Sequence, residues 1–330
     1  MNKKRIDYID FYRGIGIILM VMGHVQFGTP FDYYIHAFHM PMFFFISGYL
    51  FRERPLSEMP SFLSKKARAM LLPYFFFAAF HVFYWATLKG QNLKMDELAG
   101  AVKAFLIGDS DHYVIAGALW FLLALFLVEV IYCFICILFR SELLQHAVVL
   151  VLFIIGCRFR AKTGIKLPWH LDSALIGLGL FHTARMIRKY SETRVIKAIF
   201  KIPVPVVFLS GVILSWWVMK TPFINVRVCM IPKIHWFYLN AVLASLIILR
   251  LSEYLDAHMP EKSIGWIRTI GRDSIVYVCL NQFAIYAVMR QGFGLSGFVL
   301  HAYALLLVMI LLWMMDQALM NSSLKIVFGK

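Results

Sequence analysis

The chain has 330 residues, of which 61% are hydrophobic and 15% are charged, and its formal net charge is +15. A soluble domain is about 45–50% apolar and about 25% charged, so the composition excludes an ordinary soluble protein. The positive charge does not indicate nucleic-acid binding, because basic loops beside anionic lipid explain it more simply. We therefore expect a polytopic all-α membrane protein that contacts the lipid bilayer and has no nucleic-acid partner.

Apolar runs along the chain predict about ten transmembrane helices. They are residues 14–31, 33–51, 69–88, 112–139, 143–157, 173–184, 202–219, 234–249, 274–289 and 291–315. Several are shorter than the ~20 residues that a lone helix needs to cross a bilayer, so these must tilt or include polar flanks. No linker or low-complexity tract separates the runs, and residues 1–330 are expected to form one transmembrane domain.

The distribution of lysine and arginine predicts the orientation. With ten spans both termini lie on one side, and most basic residues fall in the segments on that side, so both termini are expected to be cytoplasmic. The basic residues between Arg158 and Lys166 run against this bias. The first apolar run lacks a small-residue cleavage site, which favours a signal anchor and a multi-pass protein of the plasma (inner) membrane.

Arg13 and His24 bracket the start of the first span, in the run RGIGIILMVMGH. Eleven residues at ~100° each place the two side chains on one helix face, roughly 16 Å apart along the axis. Asp10 lies one turn before Arg13 and can orient its guanidinium. Ionisable residues within a span indicate function by default, although Arg13 could simply snorkel and His24 could make an interhelical hydrogen bond.

His36 and His39 follow at the outer start of the second span, where their spacing of three predicts a shared face. Pro41 is tolerated there if it lies in the first helical turn. Together with His24 the two imidazoles could form a zinc site, but nothing in the spacing between spans supports one, and no metal is expected. Ser47 lies further along the same run.

Lys65, Lys66 and Arg68 precede the third span on the predicted cytoplasmic side. They either mark topology alone or bind phosphate, for which arginine gives bidentate geometry and lysine a point charge. On the other side, the acidic segment from Lys89 to Ile115 would suit a neutral sugar or serve only as a solvated connector. The five cysteines form no disulfide framework, and Cys133-x-x-Cys136 within an apolar run is expected to be a pair of buried thiols.

Five segments together resemble the acyltransferase-3 family of integral membrane O-acyltransferases, and in particular its single-domain members related to fucose 4-O-acetylases. The segments are RIDYIDFYRGIGIILMVMGH, FHMPMFFFISGYLF, KKARAMLLPY, ALWFLLALF around Trp120, and IGRDSIVYVCLNQF around Ser274. They follow the family's order through most of the chain. The pairing of Arg13-x10-His24 with the following HMPMFFFISG is the most specific part.

The resemblance implies a ten-helix core that moves an acyl group, usually acetyl, from cytosolic acyl-CoA to a hydroxyl of a cell-surface glycan or its lipid-linked precursor. It implies that His24 is essential to the transfer and that Lys65 and Arg68 suit the CoA phosphates. The family's late span usually carries a histidine where this chain has Asn281. An amide can form hydrogen bonds there but cannot relay a proton.

These expectations combine into one hypothesis for the site. The catalytic residues are His24, Arg13 and His39, with His24 as general base or acyl carrier. The residues that bind the CoA co-substrate, together with their orienting carboxylate, are Arg13, Lys65, Arg68 and Asp10. The residues that contact substrate are His36, Ser47, Trp120 and Asn281. The alternatives are a transporter or flippase for a sugar-like or anionic substrate, and a homologue without activity.

Overall fold

The computed structural model of the protein describes residues 6–329, and across these residues it contains fifteen α-helices and no β-strand. The helices are α1 (Asp7–Val25), α2 (Thr29–His36), α3 (His39–Tyr49), α4 (Met59–Lys66), α5 (Leu72–Lys89), α6 (Met95–Ile107), α7 (Trp120–Leu138), α8 (Glu142–Thr163), α9 (Leu171–Lys189), α10 (Arg194–Phe200), α11 (Val204–Val218), α12 (Ile234–His258), α13 (Glu261–Arg272), α14 (Ser274–Met289) and α15 (Gly297–Met320). The predicted all-α class is therefore confirmed.

Six helical segments within the described residues are long and apolar enough to cross a membrane. They are Asp7–Val25, Leu56–Asn92, Gly117–Leu138, Glu142–Thr163, Ile234–His258 and Gly297–Met320. The count becomes seven if α10 and α11, which meet at 84°, form one broken span. Large apolar side chains along α8, α11 and α15 are exposed, as contact with lipid tails requires. The chain is thus a multi-pass helical membrane protein, whereas ten spans and cytoplasmic termini stay predictions.

The run predicted as the second span is two short helices rather than one. Helix α2 ends at His36, α3 begins at His39, and Phe38 between them has a non-helical backbone (φ −145°). Pro41 explains the break, because its ring excludes the carbonyl of the residue four positions earlier and it has no N–H to donate. It occupies the first turn of α3, where the sequence predicted that a proline is tolerated.

The chain forms two compact units. The first comprises residues 6–52, 177–226 and 230–274 and contains α1–α3, α9 from residue 177 onward, and α10–α13. Helix α1 packs on α13 at a contact that only glycine allows. A Cβ on Gly14 would lie 2.1 Å from the carbonyl oxygen of Ile267, and one on Gly271 would lie 1.7 Å from that of Asp10. The two backbones therefore touch directly.

The second unit comprises residues 53–176, 227–229 and 275–329 and contains α4–α8, α14 and α15. Between α4 and α5 the backbone forms one π-helical turn, Ala67–Leu71. The Tyr74 hydroxyl on α5 donates to the carbonyl of Phe105 near the end of α6. After α6, Gly108 adopts a left-handed conformation (φ +73°), and a Cβ there would lie 2.8 Å from the Cα of Trp169. This contact holds the segment around Gly108 against the segment around Trp169.

Candidate active site

Helix α1 carries the first group of predicted site residues. It is unbroken from Asp7 to Val25, so Arg13 and His24 share one helix as predicted. An Arg13 guanidinium nitrogen (NH1) lies 3.7 Å from Oδ1 of the buried Asp10, and the arginine side chain is 32% exposed. His24 is half-buried in the last helical turn. The carboxylate therefore anchors the guanidinium at one end of the helix, and the imidazole lies at the other.

The imidazoles of His36 and His39 lie next to each other across the break between α2 and α3. Their ring centroids are 5.1 Å apart in an edge-to-face arrangement. The sequence predicted their proximity through a shared helix face, whereas the structure achieves it with the last residue of one helix and the first of the next.

Backbone carbonyls set the tautomers of these two rings. Nδ1 of His36 lies 2.8 Å from the carbonyl oxygen of Asp32, and Nδ1 of His39 lies 2.8 Å from that of Ile35. A carbonyl oxygen can only accept, so each Nδ1 carries the hydrogen. In the neutral ring the lone pair is then on Nε2, which can accept a hydrogen bond or a proton.

The end of α1 meets this histidine pair closely. A Cβ on Gly23 would lie 3.3 Å from Cε1 of His36 and 3.3 Å from Cγ2 of Ile35, which is tighter than an ordinary contact. His39 is also within electrostatic range of both His24 and His36. The three predicted histidines therefore belong to one cluster, which we call the histidine cluster (His24, His36 and His39).

Neighbouring helices hold the backbone around the histidine cluster in place. The Tyr12 hydroxyl on α1 donates to the carbonyl of Met42, at 3.1 Å. The amide of Asn240 on α12 donates to the carbonyl of Ala37, at 3.3 Å, in the break itself. Ser47 is half-buried on α3, eight residues after His39. Within residues 6–329 no group of three His, Cys, Asp or Glu side chains has the arrangement needed to hold a metal ion.

The predicted phosphate-binding residues lie in the second unit, around the π-helical turn. Lys66 forms an ion pair with the buried Glu129 of α7. Lys65 and Arg68 are exposed. Lys66 therefore differs from the other two cations. Its ion pair stabilises the contact between α4 and α7, whereas Lys65 and Arg68 face outward. Single π-helical turns occur frequently at functional sites.

Two further predicted substrate-contacting residues are buried in the second unit. Trp120, the first residue of α7, lies 5.5 Å from the ring of His170. Asn281 on α14 donates its side-chain NH2 to the carbonyls of Tyr277 and Val278, at 3.0 and 2.8 Å. Its Oδ1 is buried and has no hydrogen-bond partner among the described residues. Asn281 can therefore offer an acceptor but not a donor.

Sequence reasoning missed several buried polar residues, among them His81, His182 and Arg185. His81 on α5 is fully buried, and its Nε2 lies 2.9 Å from the carbonyl oxygen of Cys279 on α14. Its Nδ1 is buried and has no hydrogen-bond partner among residues 6–329. His182 and Arg185 are buried one turn apart on α9. A signal was present in each case, since His81 and His182 lie within predicted apolar runs, Arg185 directly follows one, and ionisable residues in spans indicate function.

A family model described as an acyltransferase domain, that of the acyltransferase-3 family, matches residues 6–315 of the chain. The match spans the helices that carry the histidine cluster, the two exposed cations of the π-helical turn, Trp120 and Asn281. No curated protein and no solved structure matches the chain.

Proposed function

Because the chain belongs to the acyltransferase-3 family, we propose that it is an O-acyltransferase that takes the acyl group of cytosolic acyl-CoA. The acyl group is acetyl, and the acceptor is a hydroxyl of a cell-surface glycan or of its lipid-linked precursor. The protein performs this transfer in the plasma (inner) membrane. The observation that carries the proposal is the histidine cluster at the end of α1, where His36 and His39 carry their hydrogen on Nδ1 and His39 lies within electrostatic range of His24.

In the proposed reaction His24 acts on the acceptor hydroxyl. As a general base it takes the hydroxyl proton, the oxygen attacks the thioester carbonyl carbon, and CoA leaves as the thiol after receiving that proton. As an acyl carrier it first attacks the thioester and forms an acyl-imidazole, and its ring proton passes to the departing CoA thiolate. The hydroxyl oxygen then takes the acyl group, and the hydroxyl proton returns to the imidazole. A neutral imidazole suits both routes, because the ordinary histidine pKa near 6.5 keeps the base populated at pH 7.

His39 could either orient His24 or polarise the thioester carbonyl, and its tautomer favours the first of these roles. A neutral His39 cannot donate from Nε2, since its hydrogen is on Nδ1 against the carbonyl of Ile35. It can accept a hydrogen bond and so orient His24, but it cannot polarise the thioester carbonyl. The same reasoning limits Asn281, whose free oxygen accepts from a substrate hydroxyl. His36 and Ser47 contact substrate in this proposal, and Trp120 offers an aromatic face to a sugar.

The phosphates of CoA are assigned to Lys65 and Arg68, with Arg13 as a further cation. Lys65 and Arg68 are exposed, which supports this assignment. Lys66 is already paired with Glu129 and is therefore not assigned to a phosphate. Arg13 is held by Asp10, and it is separated from His24 by ~16 Å along α1, a distance comparable to the pantetheine arm. Charge-assisted hydrogen bonds to phosphate contribute about 1.5–3 kcal/mol each.

The deciding experiment measures transfer of label from [14C]acetyl-CoA to envelope glycan in membranes that contain wild type, His24→Gln or His258→Gln. His258 is an exposed histidine at the end of α12 and serves as the matched control. We expect labelled glycan with wild type and His258→Gln, and loss of nearly all transfer with His24→Gln at equal protein level. Transfer at the wild-type rate by His24→Gln would refute the mechanism. Absence of label with wild type would refute acetyl transfer and favour transport.

The donor assignment is tested with Lys65→Ala and Arg68→Ala. Each substitution is expected to raise the KM for acetyl-CoA about 10-fold, since about 1.4 kcal/mol corresponds to a factor of ten. Lys103→Ala is the control, because Lys103 is an exposed lysine of α6. Equal KM values in all three variants would show that these cations do not bind the donor.

A further inference from the structure

A polar cavity of about 340 Å³ lies in the second unit, where two segments separated by some fifty residues meet. The lining residues are 107–111, Arg160, 166–168, His170 and Asp172. Its volume is within the range of about 300–1,000 Å³ that is typical of small-molecule sites. On the predicted topology both segments are outer loops, so the cavity would open away from the cytoplasm.

Charged side chains around the cavity neutralise one another. Asp111 is in contact with Arg160 at 2.8 Å, with Lys166 at 2.6 Å and with Arg227, from a third segment, at 3.2 Å. Asp109 also pairs with Lys166, at 3.1 Å. Two of the basic residues whose position runs against the charge bias, Arg160 and Lys166, are therefore compensated locally.

Two residues of the cavity lining have a buried polar atom without a hydrogen-bond partner among the described residues. One is Asp172, whose Oδ2 lies 3.9 Å from an Arg160 nitrogen, and the other is His170. His170 is 4% exposed, and the unsatisfied atom is its Nε2. Burial and the nearby Arg227 and Arg160 lower its pKa to about 3, so the ring is neutral at physiological pH. A buried polar atom without a partner is destabilising, and a ligand that bonds to it would remove this cost.

The backbone that presents His170 is in an uncommon conformation. Both Trp169 and His170 have positive φ angles, 57° and 56°, although neither is glycine. Such conformations are strained for residues other than glycine and persist where the surroundings impose them, often at binding sites. Here the imposed contact is the packing of Gly108 against the Trp169 backbone. The ring of Trp120 lies 5.5 Å from that of His170 and adds an aromatic wall behind it.

The chemistry of the lining selects the class of ligand. An anion would be placed against Asp109, Asp111 and Asp172, and a cation against Arg160 and Lys166. An apolar ligand would satisfy neither the Nε2 of His170 nor the Oδ2 of Asp172. Hydroxyl groups both donate and accept, so an uncharged polyhydroxyl compound matches all of these groups.

We propose that this cavity binds a neutral sugar unit of the acceptor glycan. That the sugar is part of the acceptor rests on the proposed function. That the ligand is a neutral polyhydroxyl compound rests on the cavity lining alone. An ion-pair network that only joins the loops would explain Asp111 and its partners. It would not explain an unsatisfied imidazole in a left-handed turn beside an open cavity.

The first test compares the kinetics of wild type, His170→Phe and His258→Phe in detergent, with [14C]acetyl-CoA and the labelled glycan fraction as substrates. Phenylalanine removes the Nε2 and keeps an aromatic ring against Trp120. His258 is the control, because it is an exposed histidine at the end of α12 that does not line the cavity. We expect His170→Phe to raise the KM for acceptor about 10-fold with the KM for acetyl-CoA within 2-fold of wild type. We expect His258→Phe to match wild type in both.

The second test is direct binding, which does not depend on acyl transfer. The Tm of wild type and of both variants is measured with methyl glycosides of glucose, galactose, fucose and N-acetylglucosamine, and with glucuronate and glucosamine as charged counterparts. At least one neutral glycoside is expected to raise the Tm of wild type and His258→Phe by roughly 1–3 °C and to have no effect on His170→Phe.

The outcomes separate the two proposals. A wild type that transfers no acetyl group but is stabilised by a neutral glycoside refutes acetyl transfer and supports the sugar site. The sugar site is refuted if no neutral glycoside shifts the Tm of wild type, if the charged counterparts shift it as much, or if His170→Phe responds like wild type. An unchanged KM for acceptor in a folded His170→Phe protein would refute it as the acceptor site.

Discussion

The substitution Gly14→Ala tests whether the close packing of α1 on α13 positions the proposed active site. The new Cβ would lie 2.1 Å from the carbonyl oxygen and 2.9 Å from the carbonyl carbon of Ile267. These are backbone atoms of α13, so no rotamer change can remove the clash. An ordinary contact begins at about 3.4 Å, so the helices must separate by about 1 Å. Helix α1 carries Arg13 and His24, and both would move with it.

The expected magnitudes follow from opposing terms. Alanine gains about 1 kcal/mol over glycine in a helix interior, whereas overpacking costs about 1–3 kcal/mol. The cost is expected near its upper end because a backbone obstructs the new methyl group, so Gly14→Ala should lower the free energy of unfolding by up to about 2 kcal/mol. A displacement of about 1 Å at a catalytic group can lower the rate about 100-fold. Activity should therefore fall far more than stability.

The assay combines label transfer from [14C]acetyl-CoA with the Tm in detergent. Gly100→Ala is the matched control, because Gly100 lies in the interior of α6 and a Cβ there meets no atom within 4 Å. It should retain full activity and gain about 0.5–1 kcal/mol of stability. If Gly14→Ala retains wild-type activity and Tm, the direct contact between α1 and α13 does not position the site.

Three further predictions concern the second unit. Burial raises the pKa of Asp111, but the hydrogen bond from Lys166 and the nearby arginines lower it by more, so the net pKa is below the ordinary 3.8. The ionised carboxylate therefore stabilises the fold above about pH 3.8, and this contribution is lost as the pH falls through the lowered pKa. Asp111→Asn should accordingly lower the Tm at pH 7 and flatten its decline between pH 5 and 3, and a decline as steep as in wild type would contradict the assignment. Glu129→Gln leaves Lys66 without its ion-pair partner and should lower the free energy of unfolding by roughly 2 kcal/mol in chemical denaturation. This is less than the about 3–5 kcal/mol of a fully buried pair, because Lys66 is 25% exposed. Replacing both residues by apolar ones should restore most of that loss, and a double variant as unstable as the single one would exclude the pair as the cause. Arg68→Lys keeps the charge but loses bidentate geometry, so its KM for acetyl-CoA should lie between those of wild type and Arg68→Ala. A KM equal to that of Arg68→Ala would show that the bidentate geometry rather than the charge binds the donor.

Local sequence patterns were sufficient for the α1 part of the candidate site. The helix has no proline and no long polar run to interrupt it, so the separation of Arg13 and His24 followed from helical periodicity alone. The predicted pairing of Asp10 with Arg13 needed only the geometry of one helical turn. The prediction for His36 and His39 was correct in proximity and incorrect in mechanism, because the effect of Pro41 on the preceding residues was underestimated.

The cavity around His170 could not be read from the sequence. Asp111, Arg160 and Arg227 come from three segments far apart in the chain, and their pairing depends on how the helices between them pack. Asn281 differs in part, since its NH2 bonds to carbonyls of its own helix, whereas the burial of its Oδ1 depends on the surrounding packing. The number of donors and acceptors on a side chain is known from its identity, but which of them remain available depends on its neighbours.

The sequence by itself determined the class of protein, the family and the local placement of the α1 site, because these depend on composition, helical periodicity and short motifs. The tertiary structure decided that three histidines form one cluster, that Lys66 is occupied while Lys65 and Arg68 are exposed, and that a buried His170 is left unsatisfied beside a polar cavity. Burial and pairing are properties of contacts between distant segments. A pattern within one segment cannot specify them, since the partner that satisfies or leaves open each polar group lies elsewhere in the chain.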